Sequence, residues 1–335
     1  MATKKKAPKK VHLLLRNFRT RPPIFQLTME RWAASAKRHK ALAKHVKVTY
    51  SLDDDTLDAA LPTVDAIISN NPPRENLAQR APNLRWIQNT GAGVDALMPM
   101  DWMPANVTLT NNSGAHGEKC EEYCLMAFTM LGFGFQKMVA NQHAGKWEQI
   151  FYPTNKGKTA VVIGFGDLGT AAGRAAKKLG MTVIGVSRSG KAGKPADKAI
   201  KIAKLDSVLA QADYVVVATP STPETKNIMS RERLAMLKPS AGLINVGRAP
   251  LVDYPAMCEM LKAGTLAGAV VDVLSPEPQP ADSEIWKVPN LLITPHISCD
   301  YPDYVEKIFD RWFENLPRFM KGQPLKYTVD RKLGY

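Results

Sequence analysis

Short apolar runs alternate with longer segments of mixed apolar and polar residues along most of this chain. Apolar runs of this length, bounded by turn-forming residues, are typical of strands, whereas apolar residues at helical spacing occupy segments between them. Strands that alternate with helices predict a parallel sheet flanked by helices, and therefore an α/β fold. In the first part of the chain the pattern predicts a helix at 27–44 and strands at 11–15, 46–50, 66–69, 84–89 and 107–110.

The same alternation continues to the end of the chain. A long helix is predicted from residue 116 to about residue 140, because apolar residues recur there at helical spacing. The pattern closes with a further helix at about 301–320. Between these two helices it predicts a helix at 170–179 and strands at 161–163, 181–186, 214–218, 242–246, 269–273 and 291–294.

Three glycines follow the predicted strand 161–163 at the spacing G-x-G-x-x-G. Gly164 allows a tight turn, Gly166 lets a pyrophosphate approach the backbone, and Gly169 lets the next helix pack closely on the strand. The N-terminus of that helix offers N–H groups and a partial positive charge to phosphates. Glycines also serve plain turns, but the strand–turn–helix–strand context favours dinucleotide binding. The predicted loop comprises Gly164, Phe165, Gly166, Asp167, Leu168 and Gly169.

The end of the second strand of this unit indicates which dinucleotide is preferred. An NAD site usually carries Asp or Glu about 20 residues after the first glycine, where the carboxylate binds the ribose 2′-hydroxyl. Here the position is occupied by Ser187, followed by Arg188 and Ser189. Hydroxyls and a guanidinium suit a 2′-phosphate. The sequence therefore favours NADP(H) over NAD(H), the alternative being that Arg188 and Lys191 only belong to a solvated loop.

Three residues whose side chains could take part in catalysis follow predicted strands. Open α/β sheets bind their ligands at these strand ends. Arg248 can bind a carboxylate and polarise a neighbouring ketone, and His296 can donate or accept a hydroxyl proton. Glu277 beside His296 would stabilise the imidazolium and fix the ring. Each residue alone is more often structural or simply solvent-exposed. Together they suit reduction of a carbonyl beside a nicotinamide.

A second candidate site lies in the first part of the chain, at 89–95. A glycine-flanked turn formed by Gly91, Ala92 and Gly93 can direct several backbone N–H groups at one anion. A simple strand-to-helix turn is an equally good interpretation of this segment.

Composition narrows the class of protein further. The chain of 335 residues is long enough for two domains and carries a net charge of +14, part of it in a lysine-rich tail at 4–10 that we interpret as solvated. We expect no nucleic-acid partner, because aromatic and basic residues are not interleaved. No apolar run is long enough for a membrane span and no secretory signal is evident, so we expect no membrane partner. The histidines are scattered without ligand spacing, and the four cysteines are expected to be buried thiols, so no metal is expected.

Several independent motifs occur in the order found in the D-isomer-specific 2-hydroxyacid dehydrogenases, which the chain resembles over about residues 60–320. The resemblance rests on the glycine loop at 164–169, on 244–248, on Asp272 with Glu277, and on Thr294-Pro295-His296-Ile297. The segments 89–95 and 219–225 also resemble blocks of that family. The end of the chain at 329–335, with 187–189, most resembles the NADPH-linked glyoxylate/hydroxypyruvate reductase branch.

The resemblance implies two doubly wound Rossmann-like domains, with the nucleotide-binding domain inserted into a flavodoxin-like substrate domain. The substrate domain would comprise 1–112 and 299–335, and the dinucleotide-binding domain 113–298. The resemblance also implies a cytoplasmic homodimer, with the helix at 116–140 contributing to the interface.

The resemblance assigns roles to individual residues. His296 would be the acid/base, Glu277 its partner, and Arg248 the residue that binds the substrate carboxylate and carbonyl. The amides around Ala92 and Gly93 would hold the carboxylate, and Asp272 would contact the nicotinamide carboxamide. The cofactor site would also include Thr219, Pro220, Val246, Gly247 and His296.

The expected reaction is the NADPH-dependent reduction of a small 2-oxo acid, such as glyoxylate or hydroxypyruvate. The alternatives are an NAD-dependent enzyme for a bulkier or phosphorylated acid, and a non-catalytic, dinucleotide-sensing protein related to co-repressors. One departure from the family pattern bears on substrate size. The segment 298–301 is polar and aromatic where small residues are common, so Tyr301 could restrict the substrate.

Overall fold

The computed structural model describes residues 10–115 and 117–334. Residues 4–9 of the predicted solvated tail at 4–10 lie outside the described residues, as do His116, the predicted first residue of the long helix, and the last residue, Tyr335. The chain forms two compact units: the first comprises Met1–Ala115 and Tyr301–Tyr335, and the second comprises His116–Asp300. These divisions fall at residues 115 and 300, close to the divisions at 112 and 298 that we predict from the family resemblance.

The first unit contains a five-stranded sheet in which every pairing is parallel, in the order β2-β1-β3-β4-β5. The helix Tyr304–Met320 returns to this unit, and its Trp312 ring stacks on Trp86 of the sheet at 5.3 Å. The strands are β1 (Val11–Asn17), β2 (Val46–Leu52), β3 (Ala66–Ile68), β4 (Trp86–Gln88) and β5 (Thr108–Thr110). The other α-helices described here are Met29–Arg38, Lys40–Ala43, Leu57–Ala60 and Leu77–Arg80.

The second unit contains a seven-stranded parallel sheet in the order β12-β11-β10-β9-β6-β7-β8. The two units together confirm the predicted α/β class with two doubly wound sheets. The strands are β6 (Thr159–Ile163), β7 (Thr182–Ser187), β8 (Lys198–Lys201), β9 (Tyr214–Val217), β10 (Gly242–Asn245), β11 (Gly268–Val271) and β12 (Leu291–Ile293). The described α-helices are Gly117–Gly132, Phe135–His143, Asp167–Lys178, Asp206–Leu209, Arg231–Ala235 and Tyr254–Ala263.

The prediction of one long helix at 116–140 is wrong. The segment forms two helices, Gly117–Gly132 and Phe135–His143, which meet at a bend of 63°. Gly134 at the break has a φ of +57°, and a Cβ there would collide with the Tyr152 ring. Glycine adopts this backbone at little cost, and it also admits the ring. The apolar spacing continues through the break, so periodicity alone could not reveal it.

Other boundaries also differ from the predicted pattern. The predicted helix at 27–44 divides at His39 into two helices. The strand β8 has no counterpart in the predicted pattern, because its sequence Lys-Ala-Ile-Lys lies at the edge of the sheet and is largely exposed. Within the described residues, no single helix is long and apolar enough to cross a membrane. The bent helix pair passes that test only when its two members are taken together.

Candidate active site

The order of strands in the second sheet reverses between β6 and β9, which is where open α/β sheets bind their ligands. Gly164 follows β6 with a φ of +88°, and a Cβ there would lie 2.7 Å from the backbone nitrogen of Thr219, which follows β9. A side chain at position 164 would therefore be strained and would also push the two loops apart. The structure places the glycine loop and Thr219-Pro220 side by side at the carboxyl edge of the second sheet.

The other two glycines of the loop differ in their surroundings. A Cβ on Gly169 would collide with the carbonyl oxygen of Gly164, so this glycine allows the helix Asp167–Lys178 to pack against the loop. A Cβ on Gly166 would meet no described atom within 4 Å. Gly169 is therefore needed for the fold, whereas the surface at Gly166 is open. Phe165 packs inward, since a Cβ on Gly185 of β7 would lie 2.8 Å from its ring.

The segment after β7 carries the polar groups that we associate with a 2′-phosphate. The Ser187 hydroxyl donates to the carbonyl of Lys191 at 2.8 Å, and the Lys191 amide donates to the Ser189 hydroxyl at 3.3 Å. A hydrogen bond from Thr222 is the main cause that lowers the pKa of Glu224, and the charge of Arg188 lowers it further. The Arg188 guanidinium thus lies near the loop that follows β9.

Arg248 is held at the carboxyl end of β10 by its neighbours in the chain. The Asn245 side chain accepts from the Gly247 amide at 3.0 Å and donates to the Arg248 carbonyl at 3.1 Å. A Cβ on Gly247 would lie 2.9 Å from the carbonyl oxygen of Thr219, which places this turn against the loop after β9. Val246, which precedes Gly247, is buried.

Glu277 and His296 form a hydrogen-bonded pair on the same unit. The Nδ1 atom of His296 lies 2.8 Å from Oε2 of Glu277, and Oε1 of Glu277 accepts from the Leu274 amide at 2.9 Å. The His296 side chain is 48% exposed and the Glu277 side chain is 39% exposed, so the pair is accessible to a small molecule. With Nδ1 directed at the carboxylate, Nε2 is available for proton transfer.

Asp272 holds the loop that carries His296. Asp272 is 1% exposed, and its carboxylate accepts from the Ile297 and Ser298 amides, each at 2.9 Å. The Thr294 hydroxyl donates to the same carboxylate at 2.6 Å. His296 has a φ of +56°, an unusual conformation for a residue other than glycine, and its amide lies 2.9 Å from the Asp272 carbonyl. The backbone carbonyl of Asp272 therefore holds the strained backbone of His296, and the Asp272 carboxylate holds the residues on either side of it.

Three residues near this loop are absent from the set predicted from the sequence. The hydroxyls of Tyr123 and Thr294 are 2.7 Å apart, which links the helix Gly117–Gly132 to Asp272. Burial raises the pKa of Asp300, and the nearby His296 opposes that rise. Tyr123 and Asp300 have no motif of their own. Thr294 lies within the motif that ends in His296, but nothing in the sequence shows its contact with Asp272.

The glycine-flanked turn lies in the first unit, after β4. Hydrogen bonds hold the carbonyls of this turn. The Tyr304 hydroxyl donates to the Thr90 carbonyl at 2.9 Å, and the Asn111 side chain donates to the Ala92 carbonyl at 2.7 Å. The Asn89 side chain donates to the carbonyls of both Gly91 and Gly93 at 2.9 Å. Within residues 10–115 and 117–334, the amides of Ala92 and Gly93 donate no hydrogen bond. A turn with fixed carbonyls and vacant amides can bind an anion.

The structure thus brings most of the predicted site residues together. The glycine loop, Thr219, Gly247, Arg248, Glu277 and His296 lie at the carboxyl edge of the second sheet, and Gly91–Gly93 belong to the first unit. Tyr301, expected to restrict the substrate, donates through its hydroxyl to the carbonyl of Ala115 at 3.0 Å. Over the described residues, no group of three or more His, Cys, Asp or Glu side chains could hold a metal ion.

Comparison with known proteins gives the family. The family model for the NAD binding domain of the D-isomer specific 2-hydroxyacid dehydrogenases matches residues 125–298, just over half of the chain. A glyoxylate reductase from Pyrococcus furiosus is 28% identical over 284 residues, which cover 81% of this chain and 83% of the relative.

Solved structures extend the similarity to the whole chain. A D-isomer specific 2-hydroxyacid dehydrogenase from Xanthobacter autotrophicus Py2, in complex with NADPH and MES, is 28% identical with a TM-score of 0.83, covering 98% of this chain and 100% of that one. An NADPH-dependent glyoxylate/hydroxypyruvate reductase from Sinorhizobium meliloti, in complex with NADP and sulfate, is 25% identical with a TM-score of 0.82, covering 97% and 100%. This chain therefore belongs to the D-isomer specific 2-hydroxyacid dehydrogenases, a family of NAD(P)-dependent oxidoreductases.

Proposed function

We propose that this protein is a cytoplasmic, homodimeric enzyme that reduces a small 2-oxo acid, such as glyoxylate or hydroxypyruvate, with NADPH. The observation that carries the proposal is the His296–Glu277 pair, which lies at the same sheet edge as Arg248 and the glycine loop. The relatives from Pyrococcus furiosus and Sinorhizobium meliloti, named for glyoxylate and hydroxypyruvate, support this substrate class. In this proposal the second unit binds the dinucleotide and the first unit binds substrate.

The proposed mechanism assigns one task to each residue. When bound, the reduced nicotinamide supplies the hydride for carbonyl reduction. His296, protonated and paired through Nδ1 with Glu277, donates a proton from Nε2 to the carbonyl oxygen as negative charge develops. Arg248 binds the substrate carboxylate and stabilises the developing charge. In the first unit, the vacant amides of Ala92 and Gly93 bind a carboxylate oxygen.

The residues of the second unit fit a dinucleotide. The open surface at Gly166 and the N-terminus of the helix Asp167–Lys178 suit a pyrophosphate. We also assign to the cofactor site Phe165, Asp167, Leu168, Pro220 and Val246. We place Asp272 beside the nicotinamide, because its carbonyl accepts from the His296 amide. The hydroxyls at 187 and 189 and the guanidinium of Arg188 favour NADP(H), as does the NADP(H) bound in the two solved relatives.

The proposal is tested by initial rates of reduced-nicotinamide oxidation with glyoxylate and hydroxypyruvate, each with NADPH and with NADH. We expect turnover with both acids and a higher kcat/KM with NADPH. In Ser187→Asp, the new carboxylate would repel a 2′-phosphate and bind a 2′-hydroxyl, so the preference should move towards NADH. Faster turnover with NADH in the unaltered enzyme would refute the cofactor assignment. A lack of turnover with every 2-oxo acid would refute the proposed function.

A further inference from the structure

Tyr254 connects the turn that carries Arg248 with the segment that follows β11. The Asn245 side chain, which donates to the Arg248 carbonyl, also donates to the Tyr254 hydroxyl at 3.2 Å. That hydroxyl donates to the backbone carbonyl of Val273. Asn245 is the last residue of β10, and Val273 lies just after β11. One hydroxyl group is therefore shared between the carboxyl ends of two neighbouring strands.

The carbonyl that Tyr254 binds belongs to the same peptide group as the amide that binds Glu277. The carbonyl of Val273 and the N–H of Leu274 form one peptide unit, and this N–H donates to Oε1 of Glu277 at 2.9 Å. Because a peptide group is planar, fixing its oxygen also fixes the direction of its N–H. The other carboxylate oxygen, Oε2, lies 2.8 Å from Nδ1 of His296. Hydrogen bonds therefore run without a break from Tyr254 to His296.

The hydrogen bonds of this series reinforce one another. A donor on a carbonyl oxygen polarises the peptide group and makes its N–H a stronger donor. The acceptor of that N–H is a carboxylate, and hydrogen bonds to ionised acceptors are the stronger kind. Burial is the main cause that raises the pKa of Tyr254, so its hydroxyl keeps the proton that it donates. The Tyr254 ring packs against the core of the second unit, which fixes the position of the hydroxyl.

We propose that Tyr254 is a positioning residue, which orients the Glu277 carboxylate and, through it, the imidazole of His296. In this role the hydroxyl acts through the peptide group and not on the substrate itself. The inference rests on the proposed function, because it acts through the acid/base pair of that reaction. The Arg248 turn keeps its own hydrogen bonds to Asn245 when the hydroxyl is absent. Loss of the hydroxyl should therefore affect proton transfer more than substrate binding.

The test compares Tyr254→Phe with Tyr214→Phe, a matched control in the same unit. Tyr214 is 3% exposed and begins β9, so it lies at the opposite edge of the sheet from the proposed site. Its hydroxyl donates to Asn155 at 2.6 Å and accepts from Lys158 at 3.2 Å. Each variant thus keeps its ring and loses a hydroxyl that donates one hydrogen bond and accepts another.

Initial rates with NADPH and glyoxylate separate kcat from KM. In Tyr254→Phe, kcat should fall by about tenfold, while the KM for either substrate should change by less than about twofold. Tyr214→Phe should keep the rates of the unaltered enzyme, even where its unfolding midpoint falls as far as that of Tyr254→Phe. A merely structural role of Tyr254 predicts instead that the two variants behave alike.

A double variant shows whether the effect passes through Glu277. In Glu277→Ala there is no carboxylate for the Leu274 amide to hold. Adding Tyr254→Phe to this variant should therefore lower kcat by less than about a further twofold. If the hydroxyl acted on the fold in general, the two losses of kcat would multiply, and the inference would be wrong.

Hydrogen exchange of the Leu274 amide reports the same contact without turnover. Pro276, Pro278 and Pro280 have no N–H, so a peptide covering 274–280 contains few other exchanging amides. In Tyr254→Phe the Leu274 amide should exchange about tenfold faster, because its hydrogen bond to the carboxylate is weaker. In Tyr214→Phe its exchange should be unchanged.

An unchanged kcat in Tyr254→Phe would overturn the inference, as would a raised KM for glyoxylate without a fall in kcat. If no 2-oxo acid is reduced but exchange at Leu274 depends on the Tyr254 hydroxyl, the proposed function fails and the orientation of Glu277 by Tyr254 remains. If turnover is seen and neither kcat nor exchange depends on the hydroxyl, the proposed function stands and this inference fails.

Discussion

The contact between His296 and Glu277 gives the sharpest prediction for single residues. His296→Ala removes the proton donor, so kcat should fall by about 10²- to 10⁴-fold with a smaller change in KM. Glu277→Gln retains a hydrogen-bonding side chain but loses the charge that stabilises the imidazolium, and kcat should fall by about tenfold or more. Steady-state kinetics with NADPH and glyoxylate measure both effects.

The control for these variants is His45→Ala, which changes a histidine in the first unit that we place in no binding site. Its rates should equal those of the unaltered enzyme. If His296→Ala retains its kcat, another group donates the proton and the role assigned to His296 is wrong. If Glu277→Gln matches the unaltered enzyme, the 2.8 Å contact positions the ring without contributing charge.

The site residues that follow strand ends could be predicted from the sequence, because the end of a strand can be recognised from the local apolar pattern. The contact of Glu277 with His296 spans 19 positions and follows from two adjacent strand ends. The contacts of Asp272 with the 294–298 loop also join two adjacent strand ends. The contact of Tyr123 with Thr294, across 171 positions, depends instead on how a helix packs on that loop.

At the scale of elements, two glycines of the same loop allow an effect on helix packing to be measured separately from an effect on cofactor binding. Gly169→Ala would push the helix Asp167–Lys178 away from the Gly164 carbonyl, so stability should fall by about 1–3 kcal/mol. Gly166→Ala meets open space in this structure and should change stability by no more than about 0.5 kcal/mol. It should nevertheless raise the KM for NADPH, because the added methyl group stands where we place the pyrophosphate.

Chemical denaturation and initial rates as a function of NADPH concentration distinguish the two variants. Gly193→Ala is the control, since a Cβ there also meets no described atom within 4 Å and the residue lies outside the glycine loop. An unchanged KM in Gly166→Ala would contradict the assignment of this surface to the cofactor. A fully stable Gly169→Ala would show that the helix can shift without cost.

Most strands of both sheets could be predicted, since buried parallel strands are nearly continuous apolar runs. The failures have physical causes. The exposed edge strand β8 has too little apolar character to be distinguished from a loop. The helix breaks at Gly134, where the absence of a side chain leaves room for the ring of Tyr152 from 18 positions further along. Apart from the glycine, the local sequence gives no sign of this contact.

At the scale of the whole molecule, the region of the broken helix carries unusually exposed apolar side chains. Phe133 is 64% exposed, Trp147 is 93% exposed and Phe151 is 89% exposed. Tyr152 packs beside Gly134, so the segment that carries Trp147 and Phe151 folds back towards the break. Exposed apolar residues grouped in this way are typical of an interface between proteins. Because the family resemblance implies a homodimer to which the helix at 116–140 contributes, we propose that this neighbouring surface packs against a second copy of the chain.

The double variant Trp147→Glu with Phe151→Glu should therefore convert the protein from dimer to monomer, since two carboxylates would be buried without partners in the interface. Sedimentation equilibrium measures this directly against the mass of the 36.9 kDa chain. Trp286→Glu is the control, because Trp286 is also exposed, at 49%, but lies outside this region. A monomeric unaltered protein would refute the dimer. A dimer that persists in the double variant, with the control unchanged, would locate the interface elsewhere and leave the exposed aromatic residues to another partner.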